Sequence, residues 1–264
     1  MKLRVFTASP FGAAPGPGAE EVVWRDNDGH VAAYGSTTGS HHRMRMPGLA
    51  TFAWRDGSDQ VTARAAAERD AVVDAFQRCV LPMALHTRGL QVLHASAIRG
   101  PDGVVALCAR SGTGKSTLAY GLSRRPGRDL WADDAVAFDT GGPAVLALPL
   151  SFELHLRPAS AAFFGADPIG AAGAVASDPA PLAAVLILER RDEADIRIRR
   201  LTDAEAFTAV LQHAYCFDLE GRPRRRETAE RYLELSARVP VWEVSFRAGL
   251  DELPALLEQL EGVT

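Results

Sequence analysis

Cysteine is scarce: the chain has three in 264 residues, at Cys79, Cys108 and Cys216. Three are too few and too scattered for a disulfide framework or a thiolate zinc site, so each reads as a small apolar residue in a reducing compartment. No run of residues is long and apolar enough to span a bilayer. The stretch from Met1 to Ala19 carries two early basic residues and then runs into Pro and Gly, so it lacks the apolar core of a signal peptide. An excess of either charge is missing too. The 29 Lys and Arg against 33 Asp and Glu leave a formal net charge of −4. A protein held on nucleic acid by its general field would be basic, which sets nucleic acid aside as a partner. The expectation is a cytoplasmic protein that engages neither membrane nor nucleic acid.

What is present is ordinary globular material. Hydrophobic residues make up 47% and charged residues 23%, which excludes wholesale disorder. The length suffices for one large core with a small accessory domain. Residues 1–62 alternate short β-favouring pieces (Leu3–Phe6, Glu21–Trp24, Val31–Tyr34, Thr51–Trp54) with turn residues, the pattern of a small β-rich subdomain. The adjacent His41 and His42 have no ligand partner at metal spacing and read as a solvated loop. From Asp59 to His86, Val61, Ala65, Val72, Phe76 and Val80 fall on one helical face, and Pro82 should kink or end that helix. Residues 63–89 are thus expected as a connecting helix.

From residue 90 to 264 the grammar is α/β. Strands are expected at Gln91–Ile98, Val104–Ala109, Asp129–Phe138 and Val145–Leu150, a strand pair at Leu182–Leu188 and Ile196–Leu201, and a last strand at Val239–Phe246. Helices are expected at Ser116–Arg124, from a Thr202 cap to Tyr215, at Arg224–Ala237 and at Leu250–Leu260. Ala159–Ala180, rich in Ala, Gly and Pro, reads as a loop or flap. Phe152–Leu156 alternates, which would put His155 and Arg157 on one sheet face.

One motif carries chemistry: Ala109-Arg110-Ser111-Gly112-Thr113-Gly114-Lys115-Ser116-Thr117, set between a strand and a helix. Glycines let a backbone wrap phosphates with its N–H groups inward, and the helix N-terminus adds its dipole. Ser111, Gly112, Thr113, Gly114, Lys115, Ser116 and Thr117 are the candidate nucleotide-binding residues. Lys115 would neutralise β/γ-phosphate charge and the Ser116 hydroxyl would join a magnesium shell. The usual pattern begins with Gly where this chain has Ala109. Downstream, Asp133-Asp134 closes an apolar strand. On a neighbouring parallel strand, Asp133 would reach the metal beside Ser116, while Asp134, facing the other way, would take the proton of an acceptor hydroxyl. The basic run Arg222, Arg224, Arg225 and Arg226 reads as a solvated helix start.

Leu93-His94-Ala95-Ser96-Ala97-Ile98, Gly103-Val104-Val105-Ala106-Leu107, the loop ending Gly114-Lys115-Ser116-Thr117, and Leu130-Trp131-Ala132-Asp133-Asp134 together resemble the HPr kinase/phosphorylase superfamily, within its group of HPr-kinase-related proteins. The resemblance covers about residues 90–138. It implies a P-loop kinase core of the HPr kinase/PEP carboxykinase type. ATP (or GTP) and magnesium would be the cofactors, with Asp133 on the metal, Asp134 as base and His94 beside the acidic pair. The catalytic candidates are therefore Asp134, His94 and Lys115, and the metal candidates Ser116 and Asp133. Family members that act on HPr have His-Gly where this chain has His94-Ala95, and an acidic residue where it has Thr117. They also carry an N-terminal domain and a second signature not found here. These departures speak against HPr as the acceptor. Related proteins occur beside peptide-modification clusters, lasso-peptide clusters among them, so the implied acceptor is a Ser-type hydroxyl of a peptide or protein. A small-molecule kinase and a nucleotide-binding regulator with slow hydrolysis are the alternatives. A homo-oligomer is compatible with either.

Overall fold

The structure, a computed structural model, describes residues 2–6, 20–26, 28–167, 178–192, 195–215 and 222–263. It is a mixed α/β protein with two sheets. Two compact units divide the chain. The first runs to Leu90 and takes in Arg222–Arg226; the second takes Gln91–Tyr215 and the chain from Glu227 on.

In the first unit six strands form one sheet: β1 (Lys2–Phe6), β2 (Glu20–Arg25), β3 (Val31–Thr38), β4 (His41–Met46), β5 (Ala50–Arg55) and β6 (Gln60–Ala65). The order is β1-β6-β5-β4-β3-β2, an antiparallel meander from β2 to β6 with β1 added parallel to β6. Two expectations fail here. Gln60–Ala65 is a strand, not the start of a helix. Val61 and Ala63 are buried while Arg64 is exposed, a period of two that the wider-spaced apolar positions concealed. The His41-His42 pair is not a solvated loop but opens β4. His42 is 3% exposed. Its Nε2 lies 2.7 Å from Asp56 Oδ1 and its Nδ1 3.0 Å from Thr37 Oγ1, and its ring stacks on Trp54. Both nitrogens are taken, one by Thr37 in β3 and one by Asp56 in the turn after β5, which leaves no ligand atom for a metal.

The helical stretch begins at α1 (Arg69–Ala75), widens into a π-turn (Phe76–Val80) and resumes as α2 (Leu81–His86). Pro82 sits in the first turn of α2, where an absent N–H costs least, so the expected kink falls just before it.

The second unit holds β7 (Gln91–Leu93), β8 (Ala95–Gly100), β9 (Gly103–Cys108), β10 (Asp129–Ala132), β11 (Val136–Asp139), β12 (Leu146–Leu148), β13 (Ala180–Arg190), β14 (Arg197–Arg200) and β15 (Val241–Phe246). Its helices are α3 (Lys115–Ser123), α4 (Pro158–Phe164), α5 (Asp203–Leu211) and α7 (Leu253–Leu260), together with α6 (Arg222–Arg238) from Glu227 on. The pairing path is β10-β8-β9-β13-β12-β11-β7, with β15 parallel to β13 and antiparallel to β14. β14 therefore pairs with β15 and not with β13 as expected. The reason is topological: the parallel partners β9 and β15 occupy the flanks of β13 over the register that β14 would need.

Two segments expected as single strands are each broken in two. Gln91–Ile98 parts at His94 into β7 and β8, and Asp129–Phe138 parts at residues 133–135 into β10 and β11. The ladder keeps its register across the break. Leu93 pairs Val136 and Ala97 pairs Ala132, four positions further on in each strand. The two halves thus form one antiparallel ribbon, opened over three residue pairs. One half of the ribbon joins β9 and the other joins β12, and both lead to β13, so the pairings close on themselves.

Alternation along the strands feeds two cores. Val104, Ala106 and Cys108 of β9 pack with Phe138, Tyr232 and Leu235. Val105 and Leu107 face the other way, onto Leu118 and Leu122 of α3 and Leu256 and Leu260 of α7. The Thr202 cap appears as read, with Glu205 accepting from both Thr202 N and Oγ1. Ala159–Ala180 is not all loop. Pro158–Phe164 is helix α4, started by Pro158 in its first turn and stopped at Gly165, whose φ is +61°. Residues 168–177 of the expected flap lie outside the described residues, as do the side chains of Arg222, Arg224 and Arg225.

Candidate functional site

The loop 109–114 leaves the C-terminal end of β9, an interior strand between β8 and β13, and enters α3. Gly112 has φ +84° and Gly114, the residue that caps α3, has φ +113°. A side chain is strained at either angle, which is why the motif needs glycine there. Ala109, where the usual motif has Gly, does not have positive φ. It is 1% exposed and its methyl packs into the α3 core, so the departure costs the loop nothing.

Lys115, first residue of α3, turns back beneath the loop and is 6% exposed. Its Nζ donates to Ala109 O at 3.1 Å and to His94 Nε2 at 3.1 Å. Both acceptors are uncharged, and an ammonium has three donors. Burial lowers its pKa, opposed chiefly by the charge of Asp134 and also by that of Asp133.

The break in the ribbon supplies the rest. His94 stands in the gap between β7 and β8, its N–H bonded to His213 O at 2.8 Å. Because Nε2 accepts from Lys115, Nδ1 carries the proton and donates to Asp134 O at 3.1 Å. His94 therefore meets the backbone carbonyl of Asp134, not its carboxylate. Tyr215 edges against His94, with its hydroxyl 3.3 Å from the same carbonyl. Burial first, and the Lys115 charge second, hold His94 below its ordinary pKa. His213 is lowered to about 4, by burial and then by Lys115, His94 and Arg110. Both imidazoles are neutral near pH 7.

Asp133 is 6% exposed and anchors the opposite side. Ser96 Oγ donates to its Oδ1 at 2.6 Å, and Ser116 Oγ to the same oxygen at 2.8 Å. The backbone N–H of His155 approaches Oδ2 at 3.4 Å. The expected neighbouring parallel strands are not what brings Asp133 to Ser116. β10 is two strands away from β9, with antiparallel β8 between, and Ser96 on β8 bridges the distance. Asp134 is the one described non-glycine residue with positive φ, at +62°, inside a three-residue turn closed by Ala135 N to Asp133 O at 2.8 Å. That γ-turn is rare and strained, and strain of this kind gathers at functional positions.

His155 and Arg157 both reach the site, though not as one sheet face. Phe152–Leu154 is irregular, His155 contributes its backbone, and Arg157 lays its guanidinium over the loop, 2.8 Å from where a Cβ on Gly112 would lie. Ser111 is exposed on the loop, Thr113 N bonds Arg110 O, and Thr117 Oγ1 lies 2.9 Å from Ser160 Oγ on α4. The structure thus gathers Lys115, Ser116, Asp133, Asp134 and His94, and adds Ser96, His213 and Tyr215. Ser96 had a readable signal, a small hydroxyl two residues after His94. His213 and Tyr215, more than a hundred residues away, had none.

The donor set suits magnesium. A hydroxyl and a carboxylate are hard oxygen ligands, and magnesium is ordinarily held by one or two such groups together with phosphates and water. Among the described residues, His/Cys/Asp/Glu ligand atoms cluster in threes only at exposed Asp26, Asp28 and His30, where Asp26 caps its own turn.

Asp133 carries a prediction. Burial raises its pKa more than its hydrogen bonds lower it, and Asp134 adds repulsion. A carboxyl raised in the folded state is favoured protonated, so its stabilising contribution is present at low pH and is lost as pH rises through the folded value. Asp133→Asn removes the buried charge. The nucleotide-free variant is expected to be more stable than wild type at pH 7, on the order of 1 kcal/mol. The gain should fade as pH falls toward 4. Thermal melts from pH 4 to 8 check this; a gain that grows on acidification would contradict the assigned ionisation.

No protein-family model matches the chain, and no curated protein does. Among solved structures it is similar to the Hpr(Ser) kinase/phosphatase from Coxiella burnetii, at 14% identity and a TM-score of 0.37, over 66% of this chain and 89% of that one. A TM-score this low marks a distant likeness and establishes no function.

Proposed function

We propose that the chain is an ATP/Mg-dependent kinase with a P-loop core of the HPr kinase type that places phosphate on a hydroxyl. The observation that carries it is the meeting of Ser116 and Asp133 at 2.8 Å, at the head of a helix entered through a glycine loop with a buried lysine behind it. Bound magnesium nucleotide supplies the phosphoryl group and the metal's charge. The protein's part is positioning and electrostatics. Ser116 Oγ and Asp133 Oδ1 would hold the metal, with Ser96 steadying the Asp133 carboxylate. The loop amides and Lys115 Nζ hold phosphate oxygens, and Lys115 can exchange its neutral partners for charged ones. Asp134 takes the acceptor's proton on its carboxylate. His94 keeps that carboxylate in place through the backbone, with Nδ1–H on the Asp134 carbonyl and Nε2 on Lys115. A peptide or protein Ser-type hydroxyl is the proposed acceptor class, resting on the sequence resemblance alone.

The test is transfer from γ-labelled ATP with magnesium to Ser-containing peptide arrays and, in parallel, to a panel of small alcohols. Label on peptides supports the reading. Label confined to small alcohols makes the protein a small-molecule kinase. Nucleotide binding with slow hydrolysis and no transfer to any acceptor makes it a regulator.

A further inference from the structure

Beside the loop lies a cleft of about 230 Å³ that neither residue of the acidic pair lines. Thr113, Gly114 and Thr117 form its near wall; Lys115, His94, Asp133 and Asp134 take no part in it. Its floor is apolar, built from Leu118 of α3, Phe246 at the end of β15, and Leu253 and Leu256 of α7. Its rim is cationic. Arg157 hangs over Gly112, and Arg190, the last residue of β13, brings its guanidinium to 3.7 Å from where a Cβ on Gly114 would lie. Both are exposed, and neither forms an ion pair with a described residue. Arg247, also on the rim, is by contrast neutralised by Asp251 and Glu252.

Two guanidiniums without an ion-pair partner among the described residues, set at a glycine loop and opening onto an apolar floor, match one kind of occupant: a molecule with phosphates at one end and a flat, poorly solvated group at the other. The cleft is smaller than the roughly 300–1,000 Å³ of pockets for drug-sized ligands, which fits one end of a molecule and not a folded peptide. We propose that this cleft receives the nucleoside end of the triphosphate, with Arg157 and Arg190 on the phosphates nearest the ribose and the Thr117–Ser160 hydroxyl pair as the polar contact at its wall. The proposal rests on the reading of the loop given above. It puts nucleotide choice on α4, α7 and residues 246–250, elements that lie outside the loop motif. It also leaves Asp134, which does not line the cleft, to meet the acceptor.

The experiment compares two probes on the full chain by calorimetry: magnesium ATP, and magnesium tripolyphosphate, which has the phosphate chain and no nucleoside. Ala159 and Ala248 are exposed positions on the cleft from different elements. Ala159→Leu and Ala248→Leu add bulk without a charge or an aromatic ring. Each should weaken ATP by about tenfold and leave tripolyphosphate within about twofold, with melting temperatures unchanged. Arg157→Gln should weaken both probes. If both leucine variants bind ATP as wild type does, the nucleoside lies elsewhere and the cleft assignment falls while the loop reading stands. Equal weakening of both probes by the leucine variants also overturns it, by making the cleft part of the phosphate site. If wild type binds neither probe, the loop reading itself fails.

Discussion

Lys115→Ala is expected to lower phosphoryl transfer by about a thousandfold or more, because it removes a charge-assisted contact to the transferring group in a water-poor site. The same change should not destabilise the protein. Lys115 is 6% exposed, and its bonded partners are a carbonyl and a neutral imidazole. Burial lowers its pKa. For a lysine lowered in the folded state, stability rises with pH toward its unfolded value, so the charge present at pH 7 is a cost that folding bears for function. Lys115→Met, which keeps the aliphatic packing, should melt at or above the wild-type temperature at pH 7. Its effect on His94 is a second readout. Lys115 is one of the two causes that depress His94, so the imidazole midpoint followed by NMR should move up in either variant. A melting temperature several degrees lower in Lys115→Met would make the lysine a structural residue. Unaltered transfer would remove the loop from the mechanism.

How much of this was open to a reading of the sequence follows from how local each feature is. The glycine loop, Lys115 and Ser116 lie within nine residues, and the backbone angles at Gly112 and Gly114 are what their composition demands. The capping box at Thr202 and Glu205 is equally local. The ribbon is not. That residues 91–100 and 129–139 form one ladder, opened at His94 and at residues 133–135, depends on pairings some forty residues apart, and an unbroken apolar pattern conceals the opening. Without it, β10 was set next to β9, and Ser96, which stands between them, had no role. Arg190 shows the same limit. It is one arginine at the end of a strand, and only the packing of β13 against β9 brings it to the loop. β6 and β4 escape for a different reason: six-residue strands with two buried positions each do not outweigh a helical period or a histidine pair.

Asp134 lets function be separated from fold by three substitutions at one position. Asp134→Asn keeps size and the tolerance of short polar side chains for positive φ, while removing the base. Asp134→Gly removes the base and relieves the strain at φ +62°. Asp134→Ala removes the base and leaves a Cβ in a conformation that suits it poorly. All three should lower transfer by about a hundredfold or more, while magnesium-ATP affinity stays within about threefold, because the base acts on the acceptor and not on the nucleotide. Stability should sort them differently. Asn should match wild type. Gly should match or exceed it by up to about 1 kcal/mol, the relief being partly offset by greater freedom in the unfolded chain. Ala should fall below it by about 1 kcal/mol. The three values report on the strained turn; the shared loss of transfer reports on the carboxylate. Should Asp134→Asn abolish magnesium-ATP binding while Asp133→Asn spares it, the two carboxylates have exchanged roles. Should Asp134→Asn transfer phosphate at the wild-type rate, no base is needed there, and the strain at residue 134 serves only to bring its carbonyl to His94.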